Sequence, residues 1–400
     1  MIRSRLLAAG LAAAGLAHAP LAAQARQNPF FAESTLPYHA PPFDRITGAD
    51  YQPALEEGMR QRLAEIEAIA GQPAGPTFEN TIVAMERAGA LLSRVQAAFN
   101  AVTGANTDST LQGVEREEAP RLAAHRDAVY LNAALFRRVK SVYDRRAALG
   151  LNPEQTALVE RYYRNFVRAG AELSEADKTR LRALNQEESR LTTEFSNRLL
   201  AATKAGAVVV TDRAELAGLS DAEIAAAADA ARQRGMEGRW VLPLQNTTQQ
   251  PVMASLRNRA LRQRIFEAST RRGEQGGSTD TREIVRRLAQ LRTERAGLLG
   301  FPNYAAFSLD NQVARTPENA TRLLTQIALP ATARARAEVA RMQQLIDQQG
   351  GGFRLAPWDW QYYAEQVRKA EYDLDESQVK PYFELDRVLR DGVFFAANRL

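Results

Sequence analysis

The chain has 400 residues, 45% apolar and 25% charged, which is typical of a globular protein with a sizeable core and two or more subdomains. Lys and Arg number 52 against 47 Asp and Glu, and no block of like charges predicts a nucleic-acid partner. The absence of cysteine excludes disulfides, thiolate zinc sites and cysteine nucleophiles.

The first segment has the pattern of a secretory signal peptide. Arg3 and Arg5 form a short positive region, residues 6–16 are apolar, and Ala23-Gln24-Ala25 offers small residues where a signal peptidase cuts. The apolar run is shorter than a membrane span requires, which argues against the alternative of a membrane anchor. We therefore expect residues 1–25 to be removed and the protein to be exported to a periplasm, with no membrane attachment afterwards.

Residues 26–245 predict an N-terminal helical domain. A proline- and aromatic-rich arm comes first, over residues 28–50. Apolar residues at spacings of three and four then predict successive helices, and polar capping residues mark their starts. Four helices are predicted most clearly. The first covers residues 51–70, the second runs from an N-cap at Thr77 through Phe99, the third begins at Asn152-Pro153, and the fourth extends from Ser174 through Leu199.

A small β element is predicted near the end of this domain. Residues 208–211 and 239–242 are short β-branched or aromatic runs, and they flank a helix capped by Ser220 with Glu223. The polar stretch 245–251 is predicted to be a loop and the boundary between two domains.

Residues 246–400 are expected to form the start of a second domain. Helices resume near Val252, and Asp280 with Glu283 is predicted to cap a helix that ends at Gly300. Thr316-Pro317 opens another helix, which we expect to bend or break near Pro330.

Residues able to bind zinc or catalyse hydrolysis are scarce. Of three histidines, His18 lies in the predicted signal peptide, and His39 and His125 are far apart with no H-E-x-x-H motif. His125 is most simply interpreted as a surface helix residue. Because no serine elbow or phosphate-binding loop is present either, the sequence predicts no catalytic residue and no metal ligand, and it leaves substrate-binding residues unknown.

A dense aromatic group surrounds Asp359. Trp358, Trp360, Tyr362 and Tyr363 could stack on a peptide or sugar ligand, or they could anchor the packing of the helix that starts there. Because large aromatic side chains dominate core burial, we favour the packing role.

Several long motifs resemble those of the thimet oligopeptidase family of zinc metallopeptidases. They occur in order along the chain: Pro41-Pro42-Phe43, residues 77–82 (TFENTI), 299–305 (LGFPNYA), Thr316-Pro317-Glu318, 357–365 (PWDWQYYAE), 380–385 (KPYFEL) and Gly392-Val393-Phe394. Within the family these stretches look most like the bacterial peptidyl-dipeptidases, also called dipeptidyl carboxypeptidases, with oligopeptidase A as a near relative.

The resemblance implies a mainly α, two-lobed fold around a deep channel that holds one zinc ion. It also implies short peptides as substrates, release of dipeptides from their C-terminus, and a monomer as the complete enzyme. The metal and the bound water would carry the hydrolysis in that family.

The sequence departs from the family pattern in one respect. The zinc motif, third metal ligand and transition-state-stabilising residues of the family all lie downstream of the point that matches Leu400, so no catalytic residue is transferred to this chain. We accordingly expect residues 246–400 to be a truncated catalytic domain, the chain to be a fragment, and the fragment to be inactive by itself. The alternative from a different class is a non-catalytic helical protein that binds peptides or serves as a scaffold.

Overall fold

The protein is mainly α-helical with one small antiparallel β-ribbon, as the sequence predicts. The computed structural model describes residues 26–373 and 376–400, so the predicted signal peptide, residues 1–25, lies outside the described residues.

The helices follow one another with short connections. The α-helices are α1 (Gly48–Ala70), α2 (Ala84–Arg87), α3 (Ala90–Asn106), α4 (Ser109–Tyr130), α5 (Ala133–Asp144), α6 (Pro153–Arg168), α7 (Glu175–Ala205), α8 (Asp221–Arg232), α9 (Asn246–Ser255), α10 (Arg259–Thr270), α11 (Arg282–Leu298), α12 (Tyr304–Leu309), α13 (Pro317–Gln348), α14 (Trp360–Tyr372), α15 (Glu376–Val379), α16 (Leu385–Arg387) and α17 (Phe395–Arg399). Two π-helical segments, Phe78–Val83 and Val388–Phe394, adjoin them. The strands are β1 (Val208–Val210) and β2 (Trp240–Leu242).

The first core lies between α1, α3 and α4. The rings of Phe30, Tyr51 and Phe99 are nearly fully buried there, with centroids 5.4 and 5.2 Å apart along the series. Phe30 belongs to the predicted arm, which therefore contributes an aromatic side chain to the helical body. A second core joins α5 and α6 to the end of α1 through side chains such as Ile66, Val139 and Phe166.

The prediction of a single helix from Thr77 through Phe99 is wrong, because the chain leaves the helical conformation at Ala88-Gly89. Thr77 does cap the start, accepting a hydrogen bond from the backbone N–H of Asn80 at 3.0 Å. Gly89 has φ +83°, a left-handed conformation that ends one helix and turns the chain into α3. Glycine within an apolar periodic run gives only a weak local signal of such a break.

The β-ribbon forms a third core with α8, α9 and α10. Val208 pairs with Leu242 and Val210 with Trp240, and the buried face of the ribbon packs on Val252 and Leu261. This core includes residues on both sides of the predicted boundary at 245, which itself remains a prediction.

The loop predicted over residues 245–251 is also wrong, because α9 begins at Asn246 and continues through Pro251. Proline removes one helical hydrogen bond at this position, which costs stability. Val252 and Met253, directly after it, are almost fully buried in the third core. Tertiary packing thus holds a polar, proline-containing segment in a helix against its local preference.

Of the bend or break predicted near Pro330, the break is wrong, because the helix is continuous there, and the bend stays a prediction. Helix α13 runs from Pro317 to Gln348, and its N-cap Thr316 accepts a hydrogen bond from the N–H of Asn319. The residues around Pro330 are exposed, so water can satisfy the carbonyl group that the proline leaves without a donor. Apolar side chains on this segment are also exposed, among them Leu324 and Leu329.

Asp280 plays a different role from the predicted one. Thr281 is the N-cap of α11, while the Asp280 carboxylate accepts a hydrogen bond from the backbone N–H of Arg282 at 3.0 Å. Gly300, with φ +80°, follows the end of this helix as predicted. No helix in the described part of the chain is long and apolar enough to cross a membrane.

Candidate functional site

A large polar cleft is lined by residues from both halves of the chain. Its volume is about 830 Å³, and α4, α7 and α11 supply most of its polar lining. Helix α4 packs along both α1 and α7, and α7 packs along α11, so residues far apart in sequence meet here.

Asp127, on α4, is a buried carboxylate at this cleft. Its residue is only 6% exposed, and Asn185 Nδ2 on α7 donates a hydrogen bond to Oδ1 at 2.8 Å. The other oxygen, Oδ2, has no hydrogen-bond partner among the described residues. Burial raises the pKa of Asp127 to about 6, against the smaller lowering effects of the Asn185 hydrogen bond and of Arg126, Arg182 and Arg295. The Asp127 carboxylate, at the wall of the cleft, is therefore largely ionised at pH 7, and its buried Oδ2 accepts no hydrogen bond from the described residues.

His125 lies half a turn away on the same helix and is also buried. Its prediction as a surface residue is wrong, because only 9% of the residue is exposed. Burial is the largest cause that lowers its pKa, and the charge of Arg62 lowers it further, so the imidazole is neutral at pH 7. In the part of the chain that the structure describes, no group pairs with Nε2.

Arg62, on α1, also lines the cleft, and its side chain passes close to the backbone of Gly89. A Cβ atom placed on Gly89 would lie 2.5 Å from Arg62 Cδ, so the absence of a side chain at position 89 makes room for the arginine stem. Arg62 Nε is buried and lacks a hydrogen-bond partner within residues 26–373 and 376–400.

Several residues that line the cleft take part in ion pairs. Glu188 on α7 contacts Arg292 Nε at 3.0 Å and Arg295 Nη1 at 2.5 Å, both on α11. Arg168 on α6 contacts Asp310 at 2.7 Å. These contacts fix α7 against α11 and α6 against the end of α12, while Arg295 Nε still finds no partner among the described side chains and backbone groups.

The described residues do not fit a zinc ion. Within residues 26–373 and 376–400, no group of three or more His, Asp or Glu side chains is arranged to hold a metal. His39 lies at the surface, 3.6 Å from Glu33, whereas His125 is in the cleft. That this chain carries no metal ligand stays a prediction.

The aromatic group around Asp359 encloses a buried ion cluster and does not form an open surface. Asp359 is fully buried and binds Arg262 Nη2 at 2.8 Å and Arg259 Nη2 at 2.9 Å. The Arg262 guanidinium lies 4.3 Å from the centre of the Tyr362 ring, and Trp358 packs edge-on against Phe266. These are the contacts of a packing anchor, the role favoured from the sequence.

Sequence reasoning missed the cleft. Helix α4 contains Glu118, His125 and Asp127 among many other polar residues, which is the composition of an exposed helix, yet all three are buried. Only the neighbouring helices reveal this, because nothing in the local spacing distinguishes a buried carboxylate from an exposed one.

Comparison with known proteins shows a similarity that covers nearly all of this chain. Residues 252–400 match peptidase family M3. The chain is 50% identical over 373 residues to a dipeptidyl carboxypeptidase of Escherichia coli (strain K12). The aligned region is 93% of this chain and 55% of that protein. The identity and coverage are the same for the protein of the same name from Salmonella typhimurium (strain LT2). It is 28% identical to oligopeptidase A of Escherichia coli (strain K12) over 368 residues. The aligned region is 91% of this chain and 54% of that protein.

These matches confirm the family resemblance that the sequence motifs indicated. The chain spans about half the length of the curated relatives it matches.

Proposed function

We propose that this chain is part of a zinc-dependent peptidase that releases dipeptides from the C-terminus of short peptides, because residues 252–400 match peptidase family M3 and 93% of the chain is similar to a dipeptidyl carboxypeptidase. One observation carries the choice of activity: identity is 50% to the dipeptidyl carboxypeptidases and 28% to oligopeptidase A over nearly the same residues. Zinc is the cofactor proposed from the family resemblance. Its ligands would come from residues other than those described.

The experiment compares this chain with the product of the same reading frame extended beyond Leu400. Both are incubated with an N-acetylated tetrapeptide that has a free C-terminal carboxylate, and the products are identified by mass spectrometry. We expect the extended protein to release a C-terminal dipeptide, a chelator to abolish the reaction, and added zinc to restore it. The 400-residue chain alone should release none.

A matched substrate separates the two candidate peptidase activities. The same tetrapeptide with an amidated C-terminus lacks the carboxylate that defines the end of the chain. A dipeptidyl carboxypeptidase should discriminate strongly against it, whereas an oligopeptidase that cleaves internally should not. An extended frame without an H-E-x-x-H motif, or one whose product cleaves neither substrate, would refute the proposal.

A non-catalytic peptide-binding protein is the second candidate. The polar cleft of about 830 Å³ favours it for this chain, since concave sites of that size commonly bind small ligands. Peptide binding that persists in the presence of a chelator, together with no hydrolysis by the extended protein, would support this candidate over the first.

Export is proposed on the pattern of residues 1–25 alone. Fusion of the chain to alkaline phosphatase, which is active only outside the cytoplasm, tests it in a bacterium with a periplasm. We expect active fusion protein with a new N-terminus at Arg26. Deletion of residues 1–25 should abolish the activity, and an unprocessed, inactive full-length fusion would contradict the proposal.

A further inference from the structure

One side of helix α13 is buried at its C-terminal end and exposed along the rest of its length. Near the C-terminus of the helix, Met342 and Ile346 pack against Tyr363 of α14. Leu324 lies 18 residues, or about five helical turns, before Met342, so the two side chains point to the same side of the helix. Met342 is only 2% exposed, whereas Leu324 is 66% exposed. The described residues therefore cover this side at one end and leave it open at the other.

Helix α14 is too short to cover the whole side. Helix α13 has 32 residues and α14 has 13, which gives lengths of about 48 Å and about 20 Å. The open part carries apolar residues at spacings of three and four, the pattern of a helix face that packs on another element. This face, called the α13 stripe below, consists of Leu324, Ile327, Ala328, Ala331, Ala335 and Val339. All of these residues are exposed except Ala335, which is half-buried.

The middle of the α13 stripe is built of alanine. Ala328, Ala331 and Ala335 form a shallow strip between the larger side chains of Leu324 and Val339. Packed helices lie about 8–10 Å apart, and the side chains at the contact set the distance, so a strip of alanines suits a second helix that approaches closely. The shape of the stripe thus favours a helix as its occupant.

The charges on α13 disfavour a second copy of this chain as that occupant. Between residues 322 and 341 the helix carries four arginines and one glutamate. An antiparallel pair of α13 helices centred on Ala331 would bring Arg322 of one copy close to Arg341 of the other, and like charges repel. A helix with acidic residues beside its own apolar face would be attracted to the same surface.

Exposed apolar side chains are concentrated in the last part of the chain. Among the large apolar side chains that are exposed in the described residues, six lie within residues 26–312 and fourteen within residues 313–400. Peptidase family M3 matches residues 252–400, and the aligned region is 55% of the dipeptidyl carboxypeptidase of Escherichia coli, so nearly half of that relative lies outside it. The surface that lacks a cover is therefore in the part of the chain that belongs to the matched family domain.

We propose that the α13 stripe is the docking surface for a helix of the polypeptide that follows Leu400 in the complete reading frame, and that acidic residues border the apolar face of that helix. The inference rests on the proposed function in one respect, that this chain is part of a longer protein. It goes further because it names the face on which the remainder packs. Docking removes the apolar side chains of the stripe from water, which stabilises the joined structure.

The accessibility of introduced cysteines tests the docking surface with small substitutions. The chain has no cysteine of its own. Ala328→Cys and Ala331→Cys place a thiol on the stripe, and the controls Ala333→Cys and Ala340→Cys place one on the opposite side of α13. Each variant is made in this chain and in the extended product of the reading frame. Maleimide labelling at the introduced position is followed by mass spectrometry of the peptide that contains it.

The four thiols should react at similar rates in the 400-residue chain. In the extended protein the two on the stripe should react at least about tenfold more slowly, because a thiol under a packed helix reacts only when the structure opens locally. The two control thiols should react equally fast in both proteins.

A second pair of variants tests the close approach of the helix. Ala331→Leu should lower the urea midpoint of the extended protein, since a larger side chain overfills a closely packed contact, and Ala333→Leu should not. Neither substitution should lower the midpoint of the 400-residue chain.

Equal labelling of the stripe and control positions in the extended protein would overturn the proposal. Protection of the stripe in the 400-residue chain that increases with its concentration would assign the face to a second copy and overturn it as well. The proposed function is judged by peptide cleavage and can fail separately. An extended protein that protects the stripe but cleaves neither tetrapeptide refutes the peptidase activity alone, and one that cleaves a tetrapeptide without protecting the stripe refutes the docking surface alone. A reading frame that closes directly after Leu400 would refute both.

Discussion

Removal of the Asp359 carboxylate should destabilise the protein strongly. In Asp359→Ala, Arg262 loses its buried counter-charge while 99% of the residue remains out of solvent. The Arg262 guanidinium would keep hydrogen bonds to the carbonyl oxygens of Trp358, Leu256 and Arg257 at 3.2, 2.8 and 3.0 Å, but these are neutral acceptors. Breaking a buried ion pair from one side typically costs 3–5 kcal/mol, so we expect a loss of about 4 kcal/mol in the free energy of unfolding.

Urea unfolding followed by tryptophan fluorescence measures this loss directly. The chain has three tryptophans, and two of them, Trp240 and Trp358, pack against the core formed by the β-ribbon and α9. The control Glu338→Ala removes an exposed carboxylate paired with Arg334 and should cost less than about 1 kcal/mol. Adding Arg262→Met to Asp359→Ala removes the stranded charge and should recover part of the stability.

The reasoning would be refuted if Asp359→Ala lost no more stability than Glu338→Ala. It would equally be refuted if the double variant were less stable than Asp359→Ala by the full cost of a second, independent substitution, because the two charges would then be uncoupled.

Three further substitutions test other parts of the structure, each by urea unfolding. Gly89→Ala should lower stability by about 1–3 kcal/mol, since φ is +83° and the new Cβ would overlap Arg62, while Gly75→Ala, at an open position, should not. The pKa of Asp127 is about 6 in the folded protein and near 3.8 when unfolded, so the folded state binds more protons between these values. The unfolding free energy should therefore fall by about 2 kcal/mol as pH rises from about 4 to about 6, and a pH-independent difference in stability between Asp127→Asn and the parent chain across this window would contradict the assignment. Ser220→Ala should cost about 1 kcal/mol, because it removes the cap that accepts the N–H of Glu223, and an unchanged midpoint would show the cap to be redundant.

The sequence predicted the features that depend on neighbouring residues. Asn152, Ser174 and Ser220 each accept a hydrogen bond from the backbone of the helix that follows, as their types and positions indicate. The two strands are found within one residue of their predicted bounds. Caps and short β-branched runs act through contacts a few residues apart, so they can be recognised without the fold.

The family resemblance was also contained in the sequence, since long ordered motifs need no structure to be recognised. They indicate a peptidase, although no catalytic residue of the family is predicted in this chain.

Tertiary structure alone decided the helix through Pro251 and the cleft around Asp127. Burial of Val252 and Met253 overrides the local preference of a polar, proline-containing segment for a loop. His125 and Asp127 are buried because α1 and α7 pack against α4, and Asn185 reaches Asp127 from 58 residues further along the chain. Whether a polar side chain faces water or a ligand depends on what packs against it, and that is determined by residues too distant in sequence for any local pattern to record.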